Sequence, residues 1–288
     1  MSAVALTLAL MSAGLHATWN ALVKVAPDRA LVLAAIAAAH VAGGLLVMIF
    51  ADSPAAASWP FIIASAFLHY LYYVLLYESY RFGDLSQVYP IARGMAPMLV
   101  ALGALVFAGE ELSLAAWTAI AVTSVGIMSI AFLRRNPLAA GGRTLAWTFA
   151  NGLVIAAYSV VDGIGVRLAG DPFGYIAWLF ALEFPVVLVI AWRRGQQSEF
   201  RWATFARAGL NRRLGLSLLG GFFSTVSYAI VLFANTLAPL GAVSAVRESS
   251  VIIAALIGTL LLGEQPRWPR LVSAGLVGTG IIMLAGVR

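Results

Sequence analysis

One stretch of the chain, residues 85–110, reads LSQVYPIARGMAPMLVALGALVFAGE. It is mostly apolar and longer than the about 20 residues that a membrane-spanning helix needs, yet it contains Arg93. A similar pattern returns 154 residues later in PLGAVSAVRESSVIIAALIGTLLLGE, residues 239–264, where Arg247 takes the place of Arg93. Charge at membrane depth is costly and usually functional, so these stretches predict membrane helices around an internal polar site.

The composition of the whole chain indicates an all-α membrane protein. Of its 288 residues, 62% are apolar or aromatic and 10% are charged; in soluble domains these shares are about 45–50% and about 25%. The apolar runs are continuous, as in residues 30–50, whereas the strands of a membrane barrel alternate apolar and polar residues. The net charge of +6 comes without a nucleic-acid-binding motif, so we expect no nucleic-acid partner.

Turn residues divide the chain into ten predicted transmembrane helices. The predicted helices cover residues 3–24, 30–51, 59–81, 85–108, 113–133, 145–166, 172–193, 214–237, 241–262 and 267–287. Ten helices of about 20 residues use most of the chain and leave only short loops. We therefore expect no separate domain outside the membrane.

Basic residues are distributed unequally between the two sides of this predicted bundle. Fourteen lie in or next to the loops after the odd-numbered helices, and two, Arg167 and Arg288, lie on the opposite side. Because cytoplasmic loops have an excess of Lys and Arg, the odd-numbered loops should be cytoplasmic and both termini extracytoplasmic. The expected location is the plasma membrane, which in a bacterium is the inner membrane.

The chain also contains an internal repeat. A shift of 154 residues superimposes Arg93 on Arg247, Gly109-Glu110 on Gly263-Glu264 and Gly126-Ile127 on Gly280-Ile281, and a shift of 143 residues superimposes His40 on Glu183. Each predicted half has five helices, an odd number, so the halves must cross the membrane in opposite senses. The prediction is therefore two inverted five-helix repeats, residues 1–138 and 139–288.

The repeated motifs resemble those of EamA-type transporters in the drug/metabolite transporter superfamily. They are Tyr89–Pro97, Gly109-Glu110 and Gly126-Ile127 in the first half, and Ser244–Arg247, Gly263-Glu264 and Gly280-Ile281 in the second. The resemblance covers the whole chain and implies a central cavity formed by helices 1–4 and 6–9. It also implies export of amino acids, amines or other metabolites, and the arginine of the fourth helix resembles a subset linked to phosphonate use. Family members usually have cytoplasmic termini, which is opposite to the charge bias here.

Arg93 and Arg247 are the first candidates for a substrate site. Arginine stays protonated in proteins, so each needs a counter-charge, an anionic substrate group or water. Neither has an acidic neighbour one helical turn away. Two interpretations stay open: capture of a substrate carboxylate or phosphonate, and an ion pair with Glu183 or Asp162 that holds the bundle together.

His40 and Glu183 are the candidates for proton coupling. They lie at matching positions of the two repeats, well inside their predicted helices. Both side chains can titrate when they are removed from water. The alternative is a static polar contact that keeps the two halves in register.

Polar and aromatic residues at helical spacing complete the predicted cavity. The third helix places Tyr70, Tyr73 and Tyr77 on one face, which suits an amphipathic solute or an ammonium group. The predicted substrate-binding residues are Arg93, Arg247, Glu183, His40, His16, Trp19, Asn20, His69, Tyr70, Tyr73, Tyr77, Tyr89, Tyr158, Asp162 and Tyr228. An aromatic belt at the membrane interface is the alternative for some of the tyrosines.

These features predict a secondary active transporter with alternating access, proton-coupled or exchange-type, that exports small polar or zwitterionic metabolites such as amino acids or amines. The alternatives are a transporter of organic anions, phosphonates or quaternary ammonium solutes, a receptor that transports nothing, and an intramembrane hydrolase using Asp162, Glu183 and His40. The sequence has no HExxH, GxSxG or Walker motif, so we do not expect an enzyme.

The expected partners are a small-molecule substrate and the lipid bilayer. The chain has no cysteine, which excludes disulfides and thiolate metal sites. We expect no cofactor and no metal. Two complete halves in one chain are compatible with a functional monomer.

A reporter fused to the C-terminus tests the predicted topology. Since fourteen basic residues lie on one side and two on the other, the C-terminus should be extracytoplasmic. A reporter that is active only outside the cytoplasm should therefore be active in this fusion, and one that is active only in the cytoplasm should be silent. The reverse pattern would mean that the helix count is wrong by one or that the charge bias does not set the orientation.

Overall fold

The computed structural model describes residues 1–25, 29–82, 85–133, 141–195, 212–253 and 267–287. Within these ranges the chain is helical and has no β-strand, which confirms the prediction of an all-α protein. The helices are α1 (Ala3–Val25), α2 (Arg29–Val47), α3 (Trp59–Phe82), α4 (Leu85–Ala108), α5 (Leu114–Ser129), α6 (Gly142–Leu168), α7 (Pro172–Ala181), α8 (Phe184–Gly195), α9 (Arg212–Ala234), α10 (Leu240–Glu248) and α11 (Arg267–Gly286), with short 3-10 turns at Ala56–Ser58 and Ile130–Leu133.

Large apolar side chains face outward along these helices and in the turn after α2. Phe50, Phe107 and Ile282 are 83%, 76% and 73% exposed, whereas Asp162 and Glu183 are buried. This distribution suits a lipid exterior, because hydrocarbon accepts apolar surface and excludes charge. The chain is an integral membrane protein.

Six segments of the described residues are long and apolar enough to cross a bilayer, fewer than the ten predicted. They are Ala56–Leu75, Pro90–Ala108, Leu114–Phe132, Gly142–Leu168, Pro172–Val189 and Ser217–Ala234. Two further apolar helices, Ala34–Val47 and Arg270–Gly286, are shorter.

The structure differs from the predicted continuous helix over residues 172–193, because the backbone is interrupted at Leu182 and Glu183. Pro185 accounts for the interruption: it has no N–H to donate, and its ring clashes with the carbonyl one turn earlier. The Val186 N–H then bonds the carbonyl of Glu183 at 3.0 Å instead of that of Leu182. Glu183 consequently lies in the irregular backbone between α7 and α8.

A second interruption follows Glu248 at the end of α10. Ser249 forms a turn in which its N–H bonds the carbonyl of Val246 at 3.2 Å, and residues 250–253 are helical again. The predicted continuation of this helix to residue 262 lies outside the described residues. Two polar interruptions thus occur within helices that were predicted to be continuous.

Glycines let α5 and α11 approach each other closely. A Cβ on Gly126 would lie 2.8 Å from a methyl group of Val277, and one on Gly280 would lie 2.2 Å from the hydroxyl oxygen of Thr123. The two contacts correspond under the 154-residue shift, which moves Gly126 to Gly280 and Thr123 to Val277. The same packing is therefore made twice between these helices.

Polar contacts join the last turn of α6 to two loops at one end of the bundle. Arg167 Nη1 lies 2.7 Å from Glu110 Oε1, and the same guanidinium donates to the carbonyls of Asn235 and Ala238 at 2.7 and 2.9 Å. Glu110 Oε2 accepts the N–H of Leu240 at 2.9 Å. Since negative charge is favoured at a helix N-terminus, Glu110 also stabilises the first turn of α10.

The glycine contact can be tested by adding one methyl group. Gly280→Ala should lower the melting temperature of the purified protein in detergent, because the new Cβ would lie 2.8 Å from the Ala119 carbonyl oxygen and still closer to Thr123. Overpacking of this kind costs about 1–3 kcal/mol.

The matched control is Gly278→Ala on the same helix, where a Cβ would have nothing within 4 Å. Alanine has the higher helix propensity by about 1 kcal/mol, so this variant should be at least as stable as the unsubstituted protein. Equal melting temperatures for the two variants would contradict the close contact between α5 and α11.

Candidate functional site

The charged and titratable residues predicted for the site converge inside the helical bundle. Seven of them each expose 7% or less of their surface. They are His16, His40, His69, Arg93, Asp162, Glu183 and Arg247. Groups of this kind need partners when they are removed from water, and their partners come from several helices.

The histidine–glutamate cluster consists of His40, Glu183, Tyr73 and Ser224. His40 Nδ1 lies 2.9 Å from Glu183 Oε2, and His40 Nε2 lies 3.2 Å from Ser224 Oγ. The Tyr73 hydroxyl donates to the same Glu183 oxygen at 3.1 Å. The His40 ring stacks on Phe180 with 4.6 Å between centroids, which fixes its plane. The two residues that the repeat places in register are thus in direct contact.

The interrupted backbone beside this cluster is held by a tyrosine of α3. The Tyr70 hydroxyl donates to the carbonyl of Leu182, which receives no N–H from Val186. At membrane depth, a carbonyl freed by a helix break must find a donor within the protein. Tyr70, a predicted substrate ligand, therefore also positions the backbone next to Glu183.

The tyrosine–aspartate cluster consists of Asp162, Tyr175 and Tyr228. Asp162 Oδ1 accepts from the Tyr175 hydroxyl at 2.9 Å, and Oδ2 accepts from the Tyr228 hydroxyl. The two donors offset part of the cost of burying this carboxylate completely. Tyr175 is outside the predicted set, because a tyrosine near a helix start also suits the membrane interface.

Three aromatic rings, those of His69, Tyr72 and Tyr158, pack beside Tyr228 of the tyrosine–aspartate cluster. His69 stacks on Tyr158 at 4.4 Å and meets Tyr228 edge-on at 5.6 Å, and Tyr72 contacts Tyr158 at 5.9 Å. His69 Nδ1 lies 2.9 Å from the Ser65 carbonyl, which can only accept, so this nitrogen carries a proton. The rings form an aromatic wall that brings together α3, α6 and α9.

Arg93 is paired with an acid of α10. Its Nε lies 3.0 Å from Glu248 Oε2. The opposite charges are close enough to neutralise each other, although the N–H does not have the direction of a hydrogen bond. For Arg93, the alternative of an ion pair with Glu183 or Asp162 is thus replaced by an ion pair with Glu248. Glu248 is not among the predicted site residues, because its contact with Arg93 depends on how α10 is turned toward α4, which the sequence does not specify.

Two N–H groups lie close to the ring nitrogens of His16. Arg93 Nη2 contacts its Nε2, and Trp19 Nε1 lies 3.2 Å from its Nδ1. A neutral imidazole accepts at one ring nitrogen only, so the two groups cannot both be hydrogen-bond donors to it. We assign the Arg93 contact as the hydrogen bond and the Trp19 contact as packing, since these two rings meet edge-on at 4.9 Å. Asn20 donates to the His16 carbonyl at 2.7 Å, within α1.

Arg247 has a different environment from Arg93. Its guanidinium carbon lies 5.2 Å from the centroid of the Tyr228 ring, a distance at which a cation is attracted to an aromatic face. Its Nε is buried and makes no hydrogen bond to any described residue. Both arginines thus lie in the bundle interior, but with unlike partners.

The side chains of two predicted ligands, Tyr77 and Tyr89, lie outside the part of the chain that the structure describes. Within that part, no three His, Asp or Glu side chains are grouped so that they could hold a metal ion. The described site is therefore one of ion pairs, hydrogen bonds and aromatic rings.

Comparison with known proteins gives one family and one fold. The model of the EamA-like transporter family matches residues 142–286. A crystal structure described only as that of a protein is similar over 98% of this chain and 96% of its own, with a TM-score of 0.72 and 13% sequence identity, which shows a shared fold alone. A search among curated proteins finds no match.

The hydroxyl donors to Asp162 can be removed one at a time. Tyr175→Phe should destabilise the purified protein by about 1–3 kcal/mol, because it leaves a buried carboxylate oxygen without its donor. Tyr158→Phe is the matched control, since Tyr158 is also buried but its hydroxyl is not one of the two that donate to Asp162. Melting curves in detergent measure both variants. If the two lose the same stability, the hydroxyl of Tyr175 does not stabilise Asp162.

Proposed function

This chain belongs to the EamA-like transporter family, within the drug/metabolite transporter superfamily, and on that basis we propose that it is a secondary active transporter that works by alternating access. The observation that supports this most directly is the pairing of buried charged and titratable groups between distant parts of the chain: His40 with Glu183, and Arg93 with Glu248. Such groups at membrane depth mark substrate and ion pathways.

The transport cycle would use two inverted five-helix repeats, residues 1–138 and 139–288. The packing of the helices supports this proposal. Helix α1 packs against α9 and α6 packs against α3, and α6 and α9 are the repeat counterparts of α1 and α3. The two glycine contacts between α5 and α11 are likewise made between positions that correspond in the two repeats. A pseudo-two-fold axis in the membrane plane would relate both pairs of contacts.

We place proton coupling at the histidine–glutamate cluster. With His40 protonated, His40 and Glu183 form a neutral ion pair; without that proton, the pair has the negative charge of Glu183. The carboxylate is then held by the Tyr73 hydroxyl and by the neutral imidazole, in its tautomer with a proton on Nδ1. One proton therefore changes the charge of the site by one unit, which is what coupling to a proton gradient requires.

The proposed substrate is a small polar or zwitterionic metabolite, such as an amino acid or an amine, that is exported. Within the aromatic wall, the rings of His69, Tyr158 and Tyr228 offer stacking surface for the substrate, and Arg247 offers positive charge. Organic anions, phosphonates and quaternary ammonium solutes are the alternatives. A hydrolase would use two carboxyl groups as a pair, whereas Asp162 and Glu183 accept hydrogen bonds from different residues.

We propose that the protein functions in the plasma membrane, the inner membrane of a bacterium, with both termini extracytoplasmic. The ammonium group of Met1 donates to the carbonyl of Val287 at 2.9 Å. Residues 1 and 287 therefore lie on the same side of the bundle, as an even number of membrane crossings requires. Two repeats in one chain would provide a complete pathway in a monomer.

Proton coupling can be tested in proteoliposomes. Uptake of a panel of labelled amino acids and amines, measured with and without a pH gradient, should depend on the gradient in the unsubstituted protein. Glu183→Gln should abolish that dependence and retain substrate binding, because glutamine is similar in size but has no negative charge to hold the proton on His40. Unchanged gradient-driven uptake by this variant would show that Glu183 does not take part in proton coupling.

The matched control is Glu111→Gln, the same substitution at an exposed residue of the loop between α4 and α5. Its gradient-driven uptake should equal that of the unsubstituted protein. An equal loss in both variants would mean that the effect does not come from the histidine–glutamate cluster.

A further inference from the structure

The two arginines that the repeat places in register differ in how their charge is neutralised. Arg93 is 3% exposed and has Glu248 at 3.0 Å. Arg247 is 7% exposed, and among the described residues no carboxylate lies within 4.0 Å of it. Its guanidinium instead lies over the face of the Tyr228 ring. The positive charge of Arg247 is therefore not cancelled by a charged partner in the described part of the chain.

The repeat accounts for the acid that Arg93 has, and that Arg247 lacks among the described residues. Glu248 supplies the counter-charge of Arg93 from the second half. A shift of 154 residues from Glu248 leads back to Gly94, which has no side chain to offer Arg247. A side chain could not readily be placed there, because a Cβ on Gly94 would lie 2.4 Å from Met128 Cγ. The packing of α4 against α5 thus keeps the second acid out of the site.

The backbone compensates for this charge only in part. Arg247 lies in the last turn of α10, where the helix dipole favours a cation. That dipole corresponds to roughly half an elementary charge. The guanidinium cannot lose its proton, and its buried Nε has no acceptor in the described part of the chain. An oxyanion would provide both the missing charge and the missing acceptor, since the planar fork of arginine matches carboxylate geometry.

We infer that Arg247 binds the anionic group of the substrate and that Arg93 does not, because Arg93 and Glu248 are committed to each other as a brace between α4 and α10. This inference rests on the proposed transport function and specifies its substrate class. The substrate has one oxyanion group at Arg247, and its remaining part packs against the rings of Tyr228, His69 and Tyr158. A substrate whose only charge is an ammonium group does not fit this site.

Three probes with one aromatic body and different charges test the inference: 3-phenylpropanoate, L-phenylalanine and 2-phenylethylamine. The readout is the rise in melting temperature that each causes in the purified protein in detergent, since a ligand that binds the folded state stabilises it. The two carboxylates should raise the melting temperature of the unsubstituted protein, and 2-phenylethylamine should not. Equal stabilisation by all three, or none by either carboxylate, would overturn the inference.

Variants separate the two arginines. Arg247→Gln should raise the carboxylate concentration that gives half of the stabilisation by about tenfold or more, as loss of a charged hydrogen bond does. Arg247→Lys should weaken binding less, because it keeps the charge and loses the fork. The double variant Arg93→Gln/Glu248→Gln removes both charges of the brace together, so it leaves no unpaired buried charge and should bind the carboxylates as the unsubstituted protein does.

The measurement of carboxylate binding does not depend on transport activity. Binding is measured without a membrane or a gradient, so it stands if uptake experiments show no proton coupling. Carboxylate binding that survives Arg247→Gln, or that is lost in the double variant while the melting temperature without ligand is unchanged, would reject the assignment of the anion site to Arg247.

Discussion

No polar group inside this protein can obtain a hydrogen bond from the surrounding hydrocarbon, and the arrangement of the site follows from that constraint. Asp162 takes its donors from two tyrosines on different helices, and Glu183 takes its donors from α2 and α3. Each such contact joins helices that apolar packing alone would leave free to slide. The polar clusters therefore determine how the helices are placed as well as what they can bind.

The helix interruptions follow the same logic. Pro185 removes a backbone donor, Tyr70 supplies a replacement to Leu182, and Glu183 is presented from irregular backbone as a result. Helix α10 ends directly after the two charged neighbours Arg247 and Glu248. Irregular backbone at membrane depth is tolerated where protein surrounds it, and it places charged side chains away from the lipid.

The sequence predicts the membranous, all-helical fold and identifies most of the buried residues that are charged or can titrate. The repeat also indicates that His40 and Glu183 belong together, because both occupy the same position in their halves. It does not predict that Glu248 neutralises Arg93, since the choice of partner depends on the rotation of α10 against α4. The break before Pro185 has a visible signal, but the apolar run on both sides of it favours one continuous helix.

The paired glycine contacts between α5 and α11 have an evolutionary consequence. If the proposed pseudo-two-fold axis relates the two halves, these contacts are one contact made twice, as in the isologous interface of a symmetric dimer. Two identical five-helix subunits, inserted in opposite orientations, would form that interface without being joined. Joining them in one polypeptide lets each copy accumulate substitutions alone. An acid present in one copy and a glycine in the other, as at Glu248 and Gly94, is a difference that no homodimer could encode.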